Sequence, residues 1–151
     1  MATERTLVLV KPDGVQRGLV GEVIGRFERR GLHLVGLKLT RVTEDLAERH
    51  YEEHRAKPFF RGLVAFITSS PVVAMCWEGP GVIPIVRTML GATNPANAEP
   101  GSIRGDLAVS VSTNIVHASD GPVSAEAEVA LFFEPAELLV WTATVGRWIT
   151  E

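Results

Sequence analysis

A chain of 151 residues is the size of one ordinary domain, and 46% hydrophobic with 22% charged residues is a globular composition with apolar material for one core. A net charge of −3 excludes a general polyanion binder, so phosphate binding has to come from a few cations focused in one cleft. The single cysteine, Cys76, excludes an intrachain disulfide and points to a reducing compartment. The apolar run before Lys11 is too short for a signal peptide, and no run approaches a membrane span. These properties lead us to expect a cytoplasmic protein with one domain over residues 1–151, no membrane partner and no obligate nucleic acid.

TLVLV (6–10) is apolar on both faces and predicts a short central strand, broken by the turn residues KPDG. Leu19, Val20, Val23, Ile24 and Phe27 recur at helical spacing, with Gly31 placed to end that helix. LHLVGLKLT (32–40) reads as a strand with a bulge or bend near Gly36. Thr43 is a candidate N-cap for a helix whose first turn carries Glu44 and Asp45. GLVAFITSS (62–70) reads as a third strand. Ser70-Pro71 reads as the N-cap and first residue of a helix ending near Gly79, which puts Cys76 in an apolar helical context.

Pro84 opens a short helix closed by Gly91. Residues 91–106, rich in Gly, Pro and Asn, form a long loop of the kind that is usually functional or disordered. DLAVSV (106–111) reads as a fourth strand, Ser124 as the cap of a helix over AEAEVALFF, and Glu134-Pro135 as its stop. The tail carries two tryptophans and is expected to pack on a surface. The order predicts an α+β fold: a ferredoxin-like βαββαβ antiparallel four-stranded sheet with helices on one face and added short helices.

His117, in NIVHASD (114–120), lies between an apolar run and turn residues. Its type and place suit a core residue, a metal ligand or a reacting group. Arg87 and Arg104 flank the long loop, and an arginine fork suits phosphate oxygens. Thr93 follows Gly91-Ala92, where hydroxyl and backbone N–H groups can face an anion. Lys11 follows a buried strand, where ligands commonly sit. Tyr51 and His54 are three apart on the Thr43-capped helix, and of Phe59 and Phe60 one belongs to the core and one is exposed. His33, His50, His54 and His117 have no zinc-like spacing. Ser119 and Asp120 allow a triad on paper, but there is no nucleophile elbow, P-loop or kinase glycine loop.

TLVLVKPDGV, HYEEHRAKPFF (50–60), RTMLGATNP (87–95), GSIRGD (101–106), NIVHASD (114–120) and SAEAEVALFF (124–133) occur in that order. Together they resemble the nucleoside diphosphate kinase family over essentially the whole chain. The resemblance implies transfer of the γ-phosphate of a nucleoside triphosphate to a diphosphate by a ping-pong mechanism through a phosphohistidine. It makes His117 the nucleophile, with Lys11 near the ribose 3′-hydroxyl and γ-phosphate and Asn114 on the ribose. Phe59 would stack on the base with Val111 on its other face. Arg87, Thr93, Arg104 and His54 would hold the phosphates, Tyr51 would sit beside the histidine, and Ser119 and Glu128 would orient it. Magnesium would ride on the phosphates, with Asp120 near its waters. Arg104→Ala is expected to cut turnover without unfolding the chain.

The resemblance also implies a homo-oligomer: a hexamer is favoured by the C-terminal WITE, and a tetramer is the alternative. Ala118 stands where many members have Gly, and Ser112-Thr113 where many have Gly-Arg, an Arg used in subunit contacts. Stacking alone predicts low base selectivity, with Glu151 the one residue placed to favour guanine if it reaches a neighbouring subunit's site. The competing readings are an inactive homologue and a nucleic-acid-binding ferredoxin-like module. Filled catalytic positions weigh against the first; few strand aromatics and negative charge weigh against the second.

Overall fold

Residues 7–10 are buried on both sides, and that places their strand at the centre of the sheet. The structure, a computed structural model, describes residues 3–150. Four antiparallel strands run in the order β2-β3-β1-β4: β1 (Thr3–Val10), β2 (His33–Thr40), β3 (Val72–Pro80) and β4 (Val116–Ala118). β1 pairs along its whole length with β3, and at Val8–Val10 with β4. This is the expected ferredoxin-like α+β arrangement.

Helices cover both faces of the sheet rather than one. Val8 and Val10 face the core formed with α2 (Val20–Arg30), α5 (Val82–Leu90) and α6 (Ile103–Leu107). Leu7 and Leu9 face the opposite core, closed by α3 (Glu44–His50), α4 (Phe60–Ile67) and α7 (Pro122–Phe132). The alternation along β1 therefore feeds two cores, as the period of a strand requires. The short α1 (Pro12–Gln16) follows β1 directly.

Several sequence expectations hold. Gly31 ends α2 with φ 94°, a left-handed conformation glycine adopts without a Cβ clash. The register of β2 against β3 shifts between Leu34 and Gly36. The Thr43 hydroxyl accepts from the Leu46 N–H and caps α3. The tail lies along the β2 edge: Leu139 N–H donates to the Val35 carbonyl at 2.9 Å, and Trp141 Nε1 to Leu34 at 2.8 Å.

Other expectations fail, each for a local reason. Residues 62–70 form most of α4 and its end, not a strand, because Phe60, Val64 and Ile67 fall on one buried helical face. Residues 71–79 are β3, not a helix: the run VVAMCW is buried on both sides, and Cys76 lies within it. Ser70 caps nothing; its hydroxyl accepts from Gln16 Nε2 at 2.7 Å. Residues 106–111 are not the fourth strand. Asp106 and Leu107 end α6, Val109 is solvent-exposed, and β4 comes later. α5 begins at Val82 behind Gly81, before Pro84. Ser124 sits in the first turn of α7, where its hydroxyl accepts from the Asp120 and Gly121 N–H groups. Glu151 lies outside the described residues.

Candidate active site

β4 carries His117 on the strand itself, not on a turn after it, beside the end of β1. The side chain is half-buried, and its Nε2 lies 3.1 and 3.2 Å from the two Glu128 oxygens. Glu128 projects from α7, and its Oε1 also accepts from the Ser119 hydroxyl at 2.7 Å. Ser119, fully buried, accepts in turn from the Leu7 N–H. The sheet, α7 and the histidine are thus tied through one carboxylate. Burial pushes the Glu128 carboxyl up, but hydrogen bonds and charge from His117, Ser119 and His50 more than offset it, leaving it below the ordinary carboxylate range. An ionised Glu128 accepts at Nε2 and so favours the tautomer with the proton there and a lone pair on Nδ1.

Lys11 and Asn114 meet through Nζ and Oδ1, and Asn114 Nδ2 donates to the Thr93 carbonyl at 2.9 Å. Burial pulls the Lys11 ammonium down to about 8, with Asp13 opposing that shift and Arg104 adding to it. Between Asn114 and β4 lies Ile115, buried with φ 74°. A β-branched residue in that region is strained. Its N–H donates to Asp13 at 3.0 Å, and its carbonyl accepts from the Lys11 N–H at 2.8 Å. The KPDG turn therefore anchors the strained residue between Asn114 and the strand carrying His117. Asp13 and Ile115 were missed in the sequence; only the turn composition of KPDG pointed there. Ala118 has no positive φ, so its methyl group fits the strand.

The arginines divide their duties. Arg87 Nη1 lies 3.3 Å from the Ala118 carbonyl and 3.2 Å from Asp120 Oδ1, at the cleft edge. Arg104 is buried, and its nitrogens donate to the carbonyls of Asn114, Gly91 and Val116 at 3.3, 3.0 and 2.7 Å. Burial, then the neighbouring Arg87, pulls its guanidinium down to about 10. The helix that supports it, α6, starts at Ser102, whose hydroxyl accepts from the Gly105 N–H. Ser102 caps a helix that the loop-like composition concealed.

Phe60 is core and Phe59 is half-exposed, which resolves that pair. His54 packs 5.5 Å from the Phe59 ring and 3.5 Å from Glu53. Val111 is exposed in the turn formed by the Ser110–Thr113 bridge, and Thr93 is exposed in the loop after α5. Tyr51 packs tilted against His50 at 4.6 Å, and His50 meets His117 edge-to-face at 4.8 Å. Burial raises the Tyr51 hydroxyl to about 12. An oriented, half-buried imidazole, with Arg87 on the neighbouring Ala118 carbonyl and Lys11 on nearby Asn114, suits attack on a phosphoryl group.

The family profile for "Nucleoside diphosphate kinase" matches residues 4–138. The nucleoside diphosphate kinase of Gloeobacter violaceus is 61% identical over 148 residues, covering 98% of this chain and 99% of its own. That of Heliobacterium modesticaldum is 57% identical over the same share of both chains. The solved structure of a halophilic nucleoside diphosphate kinase from Halobacterium salinarum in complex with CDP is 49% identical. It covers 99% of this chain and 100% of its own, with a TM-score of 0.97. Among the described residues no helix is long and apolar enough to cross a membrane. The ordered motifs, the fold and relatives matched nearly end to end agree: the chain is a nucleotide-binding phosphotransferase and belongs to the nucleoside diphosphate kinase family.

Proposed function

We propose that the chain moves the γ-phosphate of a nucleoside triphosphate to a nucleoside diphosphate in two steps, through a phosphohistidine at Nδ1 of His117. The observation that carries this is the bond from His117 Nε2 to Glu128, which leaves Nδ1 its lone pair. Nδ1 attacks the γ-phosphorus, the bond to the bridging oxygen breaks, and the first diphosphate leaves. The ring gains positive charge, which Glu128 stabilises. A second diphosphate reverses the step. Mixing the protein with a γ-labelled triphosphate and magnesium should give an acid-labile, base-stable label that passes to a diphosphate. An acid-stable label would exclude the mechanism.

Lys11 and Arg87 supply charge to the phosphates, and Asn114, in contact with Lys11, meets the ribose. Thr93, Arg104 and His54 complete the phosphate contacts, and Tyr51 backs the histidine through His50. Magnesium enters as part of the substrate, on its phosphates. The exposed, singly placed Asp120 fits contact with the ion's waters rather than a resident site. The free-enzyme Lys11 loses its charge as pH rises through about 8, so kcat/KM should fall over that range. Lys11→Arg, which stays charged, should lack this alkaline limb in a pH–rate profile.

Phe59 is the half-exposed aromatic for stacking, and Val111, likewise exposed, would take the other face of the base. Stacking gains roughly 1–3 kcal/mol without telling bases apart. Lys57 is solvent-exposed and Arg61 is occupied by Glu44 and Glu48, so neither reads a base edge well. Purine and pyrimidine diphosphates, ribo or deoxy, should have specificity constants within roughly a hundredfold. Phe59→Ala should weaken all together, checked by steady-state kinetics on four diphosphates. A several-thousandfold preference for one base would refute this. The assembly is a cytoplasmic homo-hexamer of one-domain chains, supported by the exposed Leu39, Val140 and Trp148; light scattering should give six times the 16.4 kDa chain mass.

A further inference from the structure

The spacing of the histidines in the sequence shows no metal motif, yet folding gathers three potential ligands. One ring nitrogen of His50, one of His117 and a carboxylate oxygen of Glu128 lie within 4.8 Å of one another. Glu128 is the hub: its oxygens lie 3.1 Å from His117 Nε2 and 3.9 Å from His50 Nδ1. The His50 side chain is 2% exposed, and its Nδ1 has no hydrogen-bond partner among the described residues. Buried ring nitrogens are nearly always paired, so an orphan directed at a carboxylate and a second imidazole is notable.

We propose that His50, His117 and Glu128 form a site for a borderline-soft divalent cation such as Zn2+, and that filling it disables the phosphoryl acceptor. Two imidazoles and a carboxylate are a familiar zinc donor set with an open fourth position. Donors around tetrahedral zinc at about 2.0–2.1 Å stand roughly 3.4 Å apart. His117 and Glu128 are near that separation, and His50 needs a small approach. The ion reaches the site from the solvent side, where His117 and Glu128 are partly exposed. Lys11 is the opposing charge facing this cluster. Magnesium prefers oxygen ligands and stays on the phosphates.

The inhibition follows from proton placement and rests on the reading of His117 given above. In the metal-free enzyme the ring proton is on Nε2 and the lone pair on Nδ1. A cation bound at Nε2 uses the lone pair there, and the single ring proton moves through solvent to Nδ1, with none lost overall. Nδ1–H then has no lone pair with which to attack phosphorus. Conversely, a phosphorylated Nδ1 keeps the proton on Nε2 and closes the site. Metal and phosphoryl group exclude each other.

Co2+, titrated into the nucleotide-free enzyme, is the probe. The intense visible absorption of four-coordinate Co2+ should appear and saturate at one ion per chain. It should be lost in His50→Phe, which keeps a ring without donors, and in Glu128→Gln, each checked for a cooperative melt. It should also be lost after prior phosphorylation by a triphosphate and desalting. The same spectrum in wild type and His50→Phe, only the weak spectrum of the aqueous ion, or undiminished binding by the phosphoenzyme would overturn the proposal. Labelling of the metal-free enzyme tests the acceptor separately: an acid-labile label on His117 without a Co2+ spectrum rejects this site alone. A Co2+ spectrum with the label elsewhere rejects the acceptor assignment and, with it, the inhibition.

Discussion

His117→Ala is expected to abolish turnover while leaving a folded chain that still binds nucleotide. Two-step transfer has no route around its covalent acceptor, so the rate should fall at least about 10⁴-fold, more than about 5 kcal/mol of barrier. The structural cost is smaller. The ring is half-buried, and Glu128 keeps its bond from Ser119 when the imidazole is removed. Losing one hydrogen bond to a charged group costs about 1.5–3 kcal/mol, a modest part of a domain's stability. Lys11, Asn114, Arg87 and Phe59, the residues proposed to hold phosphates, ribose and base, remain. Steady-state rates, a nucleotide titration and a thermal melt, run on the same sample, check all three parts. Turnover within tenfold of wild type would place the acceptor elsewhere.

Much of the site was legible because its parts are local in sequence. NIVHASD carries the proposed nucleophile, its asparagine and Ser119 within six residues, and SAEAEVALFF carries Glu128 on the next helix. Type and spacing sufficed there. Legibility failed where burial rather than period decides the element. VVAMCW is apolar on both faces, and such a run reads equally as buried helix or buried strand. Pro71 tipped it to helix, but its neighbour Ser70 bonds Gln16 instead of capping. GLVAFITSS erred the other way, because its register depends on Phe60 just upstream. The four-stranded antiparallel fold class came out right despite these exchanges, since a strand and a helix traded places within residues 62–79 and the number of strands was kept. His50 was set aside for another reason. It has no metal-like spacing to the other histidines, and only the packing of α3 against α7 brings it to Glu128. Arg104 was read as a cleft charge, whereas most of its forked donors reach backbone carbonyls that no sequence pattern announces.

Arg104→Ala is accordingly expected to damage the fold as well as the reaction, against the expectation from sequence that the chain would stay intact. The guanidinium bridges the end of α5 at Gly91, the strained segment at Asn114 and β4 at Val116. Truncation removes the guanidinium from the Gly91 and Val116 carbonyls and leaves Asn114 O only its 2.8 Å bond from the Val116 N–H, in a largely buried region beside a void where the side chain stood. Each orphaned carbonyl costs about 1–3 kcal/mol, reduced where cleft water reaches it, so a net loss of about 3–5 kcal/mol is expected. For a chain of this size that lowers the melting temperature by roughly 10 °C. Three of the five guanidinium N–H groups are committed to carbonyls, and the remaining two are left for phosphate. Turnover measured well below the new melting temperature should still fall about a hundredfold, from lost charge and from a loosened Asn114–His117 segment. Arg104→Lys separates the contributions. It keeps the positive charge, but a compact ammonium cannot span three carbonyls on separate elements, so it should recover little of the stability. A melt unchanged in Arg104→Ala would show that water replaces the guanidinium at all three carbonyls, leaving Arg104 a phosphate ligand and nothing more.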